Sequence, residues 1–334
     1  MLIIAGFCNF AIYIKMKSRM KVKTIVNLLI ALTYIVSPTL IFATNEVETF
    51  ERKVVVEKGT ATWCQYCPRG IIGFRTMYEK YPNNFIGIAM HDDDMYSPSY
   101  IYMLWRIDGG LPKAIVNRKH VIDPNETSLK NYYLYEIDKA RAGIVMNATW
   151  ENEAQTNVVI RTTTRFAKDM EGEFRIAYVV TENGVGPYIQ SNAYAGVGYD
   201  MGGFEYEERA VPMLHDHVAR SISTLDGEPN SVPENPLSGT DYEHLYTLSL
   251  PDNLQNKKNI EVIVLLINQT TGEIENADVK KYHEIVIDDT SGMTNTPTND
   301  HKTNHYYDVT GRLLKERPTK KGIYILQGEK VYVK

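Results

Sequence analysis

Residues 52–81 run from a β-like stretch, "RKVVVEKG", through "TATWCQYC" into the helical "PRGIIGFRTMYEKY", with Cys64 and Cys67 at the junction. A strand, a C-x-x-C pair and a helix in that order put the first thiol at a helix N-terminus. Free backbone N–H groups and the positive end of the helix dipole stabilise a thiolate there. Cys64 is therefore expected to be the nucleophile and Cys67 the resolving thiol. Pro68 suits the first helical turn, where its missing N–H costs nothing, and Arg69 adds positive charge nearby. Trp63 is placed either to shield one side of the pair or to pack.

Three readings of the pair stay open: a redox couple, an inert clasp or half of a zinc site. As a staple the placement is poor, because closing so small a ring contributes roughly 2 kcal/mol against about 4.7 for a 100-residue loop. Zinc needs two further ligands, and His91, His215 and His217 lack the second close-spaced pair of a zinc motif. No metal and no other cofactor is expected. "HDDD", residues 91–94, follows a strand expected to run parallel to the one before Cys64, which places it on the rim of the thiols. Its acids suit either a cation or substrate contact, or a solvated loop. His215 and His217 are expected on one face of a strand in a structural role. Neither G-x-S-x-G nor a Walker pattern occurs.

The chain has 334 residues, 43% of them hydrophobic and 10% aromatic, which is enough for two cores and excludes disorder throughout. Strand and helix signals alternate over residues 52–142, with "NFIGIAM" and "KAIVNRKHVID" as further strands and "SLKNYYLYEIDKARA" as a closing helix capped by Ser128. In the helix after Cys67, residues Ile71, Phe74, Met77 and Tyr78 share a packing face. From residue 143 the period becomes two, in "GIVMNATW", "TNVVIRTTTRF", "FRIAYVVTE", "HDHVARSIS", "EHLYTLSL", "NIEVIVLLIN" and "KKYHEIVI". Such strands predict an immunoglobulin-like β-sandwich over residues 143–288. Residues 186–208, rich in Gly and Tyr, read as a long loop, with ligand contact as its alternative use. Residues 289–305 read as a linker, and 306–334 as a small separate β-unit.

Residues 1–43 contain five Lys or Arg and no acid, and end in an apolar run. They read as an export signal, with Met20 as the expected start and cleavage after Ala43; Cys8 would then not be made. An uncleaved anchor is the alternative, since the run is nearly long enough to span a bilayer. Without this segment 31 basic and 41 acidic side chains remain, a formal charge of about −10 that disfavours a nucleic-acid partner. Two cysteines remain for an oxidising compartment, where a disulfide can persist.

"VVVEKGTATWCQYC" followed about 45 residues later by "GGLPKAIV" resembles a thioredoxin-like domain, here residues 46–142. In such folds a cis-proline lies against the disulfide and offers its backbone to an extended substrate. The resemblance assigns this role to Pro112, with Leu111 in cis linkage to it. It also implies a buried acid that takes protons from the second thiol, matched at a one-residue offset by Glu57. Gln65 and Tyr66 stand where thioredoxins have Gly-Pro, which leaves the redox potential open. With Trp63 and Leu111 they form the implied substrate contact. The whole exported chain resembles the outer-membrane protein family of Bacteroidetes named after a 28-kDa member, which joins "TGxWCxxCPRG"-like domains to a β-sandwich; the matches are "TATWCQYCPRG" and "HDHVAR". The tail "DVTGRLLKERPTKKGIYILQGEKVYVK" is similar to the sorting segments of type IX secretion.

These readings imply an α/β thioredoxin-like domain followed by an all-β immunoglobulin-like sandwich. The expected function is exported thiol-disulfide exchange at Cys64 and Cys67, with protein thiols or disulfides and the secretion machinery as partners. A surface binding protein on the same scaffold is the alternative. The expected location is the outer membrane, the cell surface or the medium, with the periplasm as alternative.

Overall fold

The computed structural model describes residues 48–107, 109–138, 140–287, 306–307, 313–314, 318–319, 321–326 and 329–333. The expected export signal and the linker at 289–305 lie outside these residues.

The first elements are β1 (Val54–Thr60), α1 (Pro68–Lys80), β2 (Phe85–His91), β3 (Lys113–Val116), β4 (His120–Ile122) and α2 (Glu126–Glu136). β1 and β2 are parallel and every residue in both is buried; β2 is an apolar run up to His91, whereas β1 buries Glu57, Lys58 and Thr60 beside its valines. β3 runs antiparallel to β1 and turns into β4 through Asn117 and Arg118, both at positive φ (48° and 55°). Pro68 opens α1 at its N-terminus, and Phe74 and Met77 pack on Val54 and Val56 of β1. Gly73 allows the close approach of the chain leading into α2, since a Cβ there would lie 2.3 Å from the Pro124 carbonyl oxygen. The cap of α2 is Asn125, not Ser128: the Asn125 side chain accepts from the Ser128 N–H at 2.9 Å.

The later elements are β5 (Ala142–Trp150), β6 (Asn157–Phe166), β7 (Phe174–Glu182), β8 (Val185–Ser191), β9 (Ala210–His215), β10 (Val218–Ile222), β11 (Tyr242–Ser249), β12 (Ile260–Asn268), β13 (Ile274–Lys281) and β14 (Val286–Ile287). A four-stranded sheet, β11-β6-β5-β14, packs through Ile144, Met146, Trp150 and Ile160 onto Ile176, Tyr178, Val262 and Val264. Alternate residues of β5 point inward, as period two requires.

The two parts share one sheet. Its eight strands run β13-β12-β7-β10-β2-β1-β3-β4, and the join is the parallel pair Val218–Ala89 between β10 and β2. One apolar layer follows the whole length of one face, from Val55 and Ile88 to Val179 and Leu265. The opposite face carries α1 and α2 at one end and the four-stranded sheet at the other. The architecture is thus strand-rich and mixed with few helices, and the boundary expected at residue 143 is not a break in the sheet.

Three local expectations are corrected. "HDHVARSIS" is two strands, because His217 takes φ 58° at the corner between β9 and β10; His215 and His217 therefore do not share a strand face. "KKYHEIVI" is interrupted by a 3-10 turn at Tyr282–Glu284, and the long strand lies earlier, in β13. Residues 185–191, most of them within the expected loop, form β8, which pairs with β9. In the tail, β15 (Tyr306–Tyr307), β16 (Leu313–Leu314), β17 (Gly322–Leu326) and β18 (Glu329–Val333) form an antiparallel sheet of order β16-β15-β17-β18.

Candidate functional site

After β1 the chain makes two tight turns: the Cys64 N–H donates to the Ala61 carbonyl at 3.2 Å and the Cys67 N–H to the Cys64 carbonyl at 3.1 Å. Cys64 and Cys67 form a disulfide, their Cα atoms 5.4 Å apart. Cys67 is the N-cap residue of α1, and the first turn of the helix has no acidic side chain to oppose a thiolate. The two sulfurs are not equivalent. Cys67 is 0% exposed, whereas Cys64, 5% exposed, lines an open groove of about 430 Å³.

Trp63, Gln65, Tyr66 and Leu111 all border this groove, so the four expected contact residues are brought together with Cys64. Trp63 is 59% exposed, and its indole N–H donates to the Asp92 carbonyl at 2.8 Å. Leu111 packs on the cysteine pair and Ala61. The Leu111–Pro112 peptide is cis, and Pro112 lies beside Gly70 in the first turn of α1.

Glu57 does not face the cysteines. Neighbouring strand residues point to opposite faces, and Glu57 lies on the face away from α1. There it accepts from the Tyr100 hydroxyl at 2.6 Å and from Arg118 Nε and Nη2 at 3.0 and 2.9 Å. Burial works against the Arg118 charge, but Glu57 outweighs it and holds the guanidinium above its usual range. Burial, then Glu57, raises the Tyr100 phenol well above 10. Lys58 is the residue turned toward α1: its Nζ donates to the Gly70 carbonyl at 3.2 Å and lies 4.2 Å from the centre of the Phe74 ring. Burial lowers Lys58 to about 7, opposed in part by Asp216. Arg69 does not lend free charge to the thiols, since it pairs with Asp123 at 2.8 Å.

"HDDD" sits on the expected rim, but it braces the turn. The Asp93 carboxylate accepts from the Thr62 N–H at 2.6 Å, from the Met95 N–H at 2.9 Å and from His91 Nδ1 at 3.1 Å. Burial opposes ionisation of Asp93, and these bonds outweigh it to hold the acid at about 2. Among the described residues no cluster of His, Cys, Asp and Glu has the form of a metal site.

Sequence reasoning missed the β8–β9 hairpin as a wall of the site. The Ser191 N–H donates to the Thr62 carbonyl at 2.7 Å, and the Ala193 N–H donates to the Gln65 carbonyl at 2.8 Å. The fully buried Gln190 amide reaches the carbonyls of Ala61, Thr62 and Cys64 at 3.0–3.3 Å. Tyr194 meets Tyr66 edge to face, and Asn192 and Arg209 close the far side of the groove. Only the strand-like "YIQS" within an otherwise aperiodic stretch signalled this.

No curated protein matches the chain. Among solved structures, HBP35 of Porphyromonas gingivalis aligns over 85% of this chain and 98% of its own, at 18% identity and TM-score 0.55, a likeness of fold. A domain of the outer membrane lipoprotein Omp28 from the same organism aligns over 44% of this chain and 90% of its own, at 11% identity and TM-score 0.25. The profile of the family described as outer membrane protein Omp28 matches residues 100–284, more than half of the chain, beginning after the cysteine pair. The chain therefore belongs to the Omp28 family and is an exported outer-membrane or cell-surface protein.

Proposed function

We propose that this protein is an exported thiol-disulfide oxidoreductase, with a thioredoxin-like unit carrying the chemistry and an immunoglobulin-like sandwich completing its groove. The asymmetry of the pair carries the reading: Cys64 borders an open groove while Cys67 is sealed beneath it at the start of α1. In the reduced protein the Cys64 thiolate attacks a substrate disulfide, forming a mixed disulfide and releasing one substrate thiolate. The Cys67 thiolate then attacks Cys64 sulfur, closing the Cys64–Cys67 bond and releasing the second substrate thiolate. The substrate gains two electrons and the pair loses two. Trp63, Gln65, Tyr66 and Leu111 contact the substrate, and Pro112 offers it backbone. The tail from residue 306 engages the type IX secretion machinery; deleting it should change where the exported protein accumulates.

The test is the reduction potential of the pair in glutathione or dithiothreitol buffers. A value between about −120 and −270 mV lies among exchange catalysts, and one below roughly −300 mV marks a structural bond. A second reading, a binding protein with a structural disulfide, draws on the bracing of the turn by Gln190 and Asp93. Under that reading Cys64→Ser leaves partner binding intact.

A further inference from the structure

A cavity of about 360 Å³ lies between α1 and the β9–β10 corner, against the ends of β1 and β2. It shares no lining residue with the Cys64 groove. Two of its groups are left unsatisfied. Lys58 is 3% exposed and has no carboxylate partner within ion-pair distance among the described residues. Its hydrogen bond goes to a backbone carbonyl. His215 is 4% exposed, and its buried Nε2 has no hydrogen-bond partner. A buried cation without a counter-ion and a buried ring nitrogen without a partner are both costly.

Of the other polar groups, Arg75 is exposed and donates to the Gly202 carbonyl at 3.3 Å. His91 is held by Asp93, and His217 pairs with Glu261 at 3.3 Å while stacking on Tyr78 at 4.0 Å. An anionic acceptor would satisfy Lys58 and, with the ring proton on Nε2, His215 as well. The remaining wall includes Ile71, Phe74 and Met213, which offer an apolar surface. Asp216 and Glu79 stand exposed at the rim with Arg75, and their net negative charge opposes a polyanion. The volume lies in the range of small-molecule sites.

We propose that this cavity binds a small organic monocarboxylate, whose carboxylate accepts from Lys58 Nζ and His215 Nε2 while its hydrocarbon body lies on Ile71, Phe74 and Met213. Burial lowers both bases, Lys58 to about 7 and His215 to about 4, the second also through His91, as expected of donors awaiting an anion.

The experiment is calorimetric titration of the exported protein with hexanoate, alongside inorganic phosphate and hexylammonium. The expected result is saturable one-to-one binding of hexanoate at millimolar concentration or below, and no binding of the other two. Affinity should fall at least about tenfold in Lys58→Met and in His215→Phe. Lys58→Met keeps the side-chain volume and removes an unpaired buried charge, so it is expected to fold. Shifts of the His215 ring resonances on adding hexanoate to the unaltered protein give a second readout. Absence of saturable hexanoate binding, equal affinity in Lys58→Met, or phosphate or hexylammonium binding as well as hexanoate would each overturn the proposal.

Discussion

Gln190→Glu tests whether the β8–β9 hairpin locks the cysteine turn. The Gln190 side-chain NH2 faces four carbonyl oxygens, those of Ala61, Thr62, Cys64 and Ser191, at 3.0–3.3 Å, and the residue is fully buried. Glutamate has the same shape but puts an acceptor where the donors stood. An ionised carboxylate in that place meets only oxygens, so the folded protein should keep the acid protonated. Unfolded glutamate titrates near ~4.3, and buried glutamates reach about 8–9. If the folded value lies above 7, holding the proton at pH 7 costs about 3.7 kcal/mol, and the lost N–H donor adds about 1. Between the two values the unfolded chain has released its proton and the folded one has not. Stability therefore falls by about 1.4 kcal/mol per pH unit as pH rises, and the penalty fades below about pH 4.3. Urea unfolding of both proteins should show a gap about 2.7 kcal/mol larger at pH ~7 than at ~5. An equal gap at both pH values, or one under about 1 kcal/mol at neutral pH, would refute the clamp and show that water reaches the site.

Cys64→Ser should abolish disulfide exchange, whereas Cys67→Ser should accumulate mixed disulfides detectable by mass; retained exchange by the first would remove Cys64 as nucleophile. Lys58→Met should raise stability at pH 7 by several kcal/mol, since a lysine lowered from 10.5 to about 7 penalises the folded state. That penalty grows as pH falls from the unfolded value toward 7 and is constant below it, so the gain from the variant should shrink as pH rises in chemical denaturation. Arg118→Met strands the buried Glu57 carboxylate and should cost about 3–5 kcal/mol by the same assay. Because Glu57 and Arg118 lie on the face away from α1, the potential of the cysteine pair should not change in that variant; a shift would reinstate Glu57 as a partner of the thiols.

Strong period was legible and compensated polarity was not. β1, β2, β5, β6, β7 and β12 fall within a residue or two of their apolar patterns, and Pro68 marks the start of α1. β13, "IENADVKK", carries no such pattern because its buried side chains are polar. Glu275 is paired with Arg141, Asn276 bonds the Lys53 N–H and the Ala142 carbonyl, and Asp278 is paired with Lys53. Their partners lie more than 130 residues away in sequence, beyond any local window. The offset at Glu57 had the same origin. Acid and lysine stand side by side in "EK", and only the direction of strand pleating decides which faces α1. At the site, the cysteines and their immediate neighbours were readable from spacing, while Gln190, Asn192 and Arg209 enter through a hairpin more than 120 residues downstream.

That hairpin links family membership to the chemistry proposed for the cysteines. The family match does not include Cys64 or Cys67, yet it contains the hairpin that holds their turn and the Leu111 beside them. One continuous sheet fixes this arrangement: β10 joins β2 at Val218–Ala89, and the corner before β10 is held by Asp216 accepting from the Gly184 N–H and by the Arg220–Glu182 pair. A rotation of the later strands against the first unit would have to break that join and draw Gln190 off the Cys64 carbonyl. Hinge motion between the two parts is therefore disfavoured, and under the proposed function a substrate enters a groove whose far wall is already set. Selectivity should accordingly reside in Asn192, Arg209 and the loop between β8 and β9 more than in Gln65 and Tyr66. Exchanging that loop should change which thiol substrates react while leaving the potential of the pair in place.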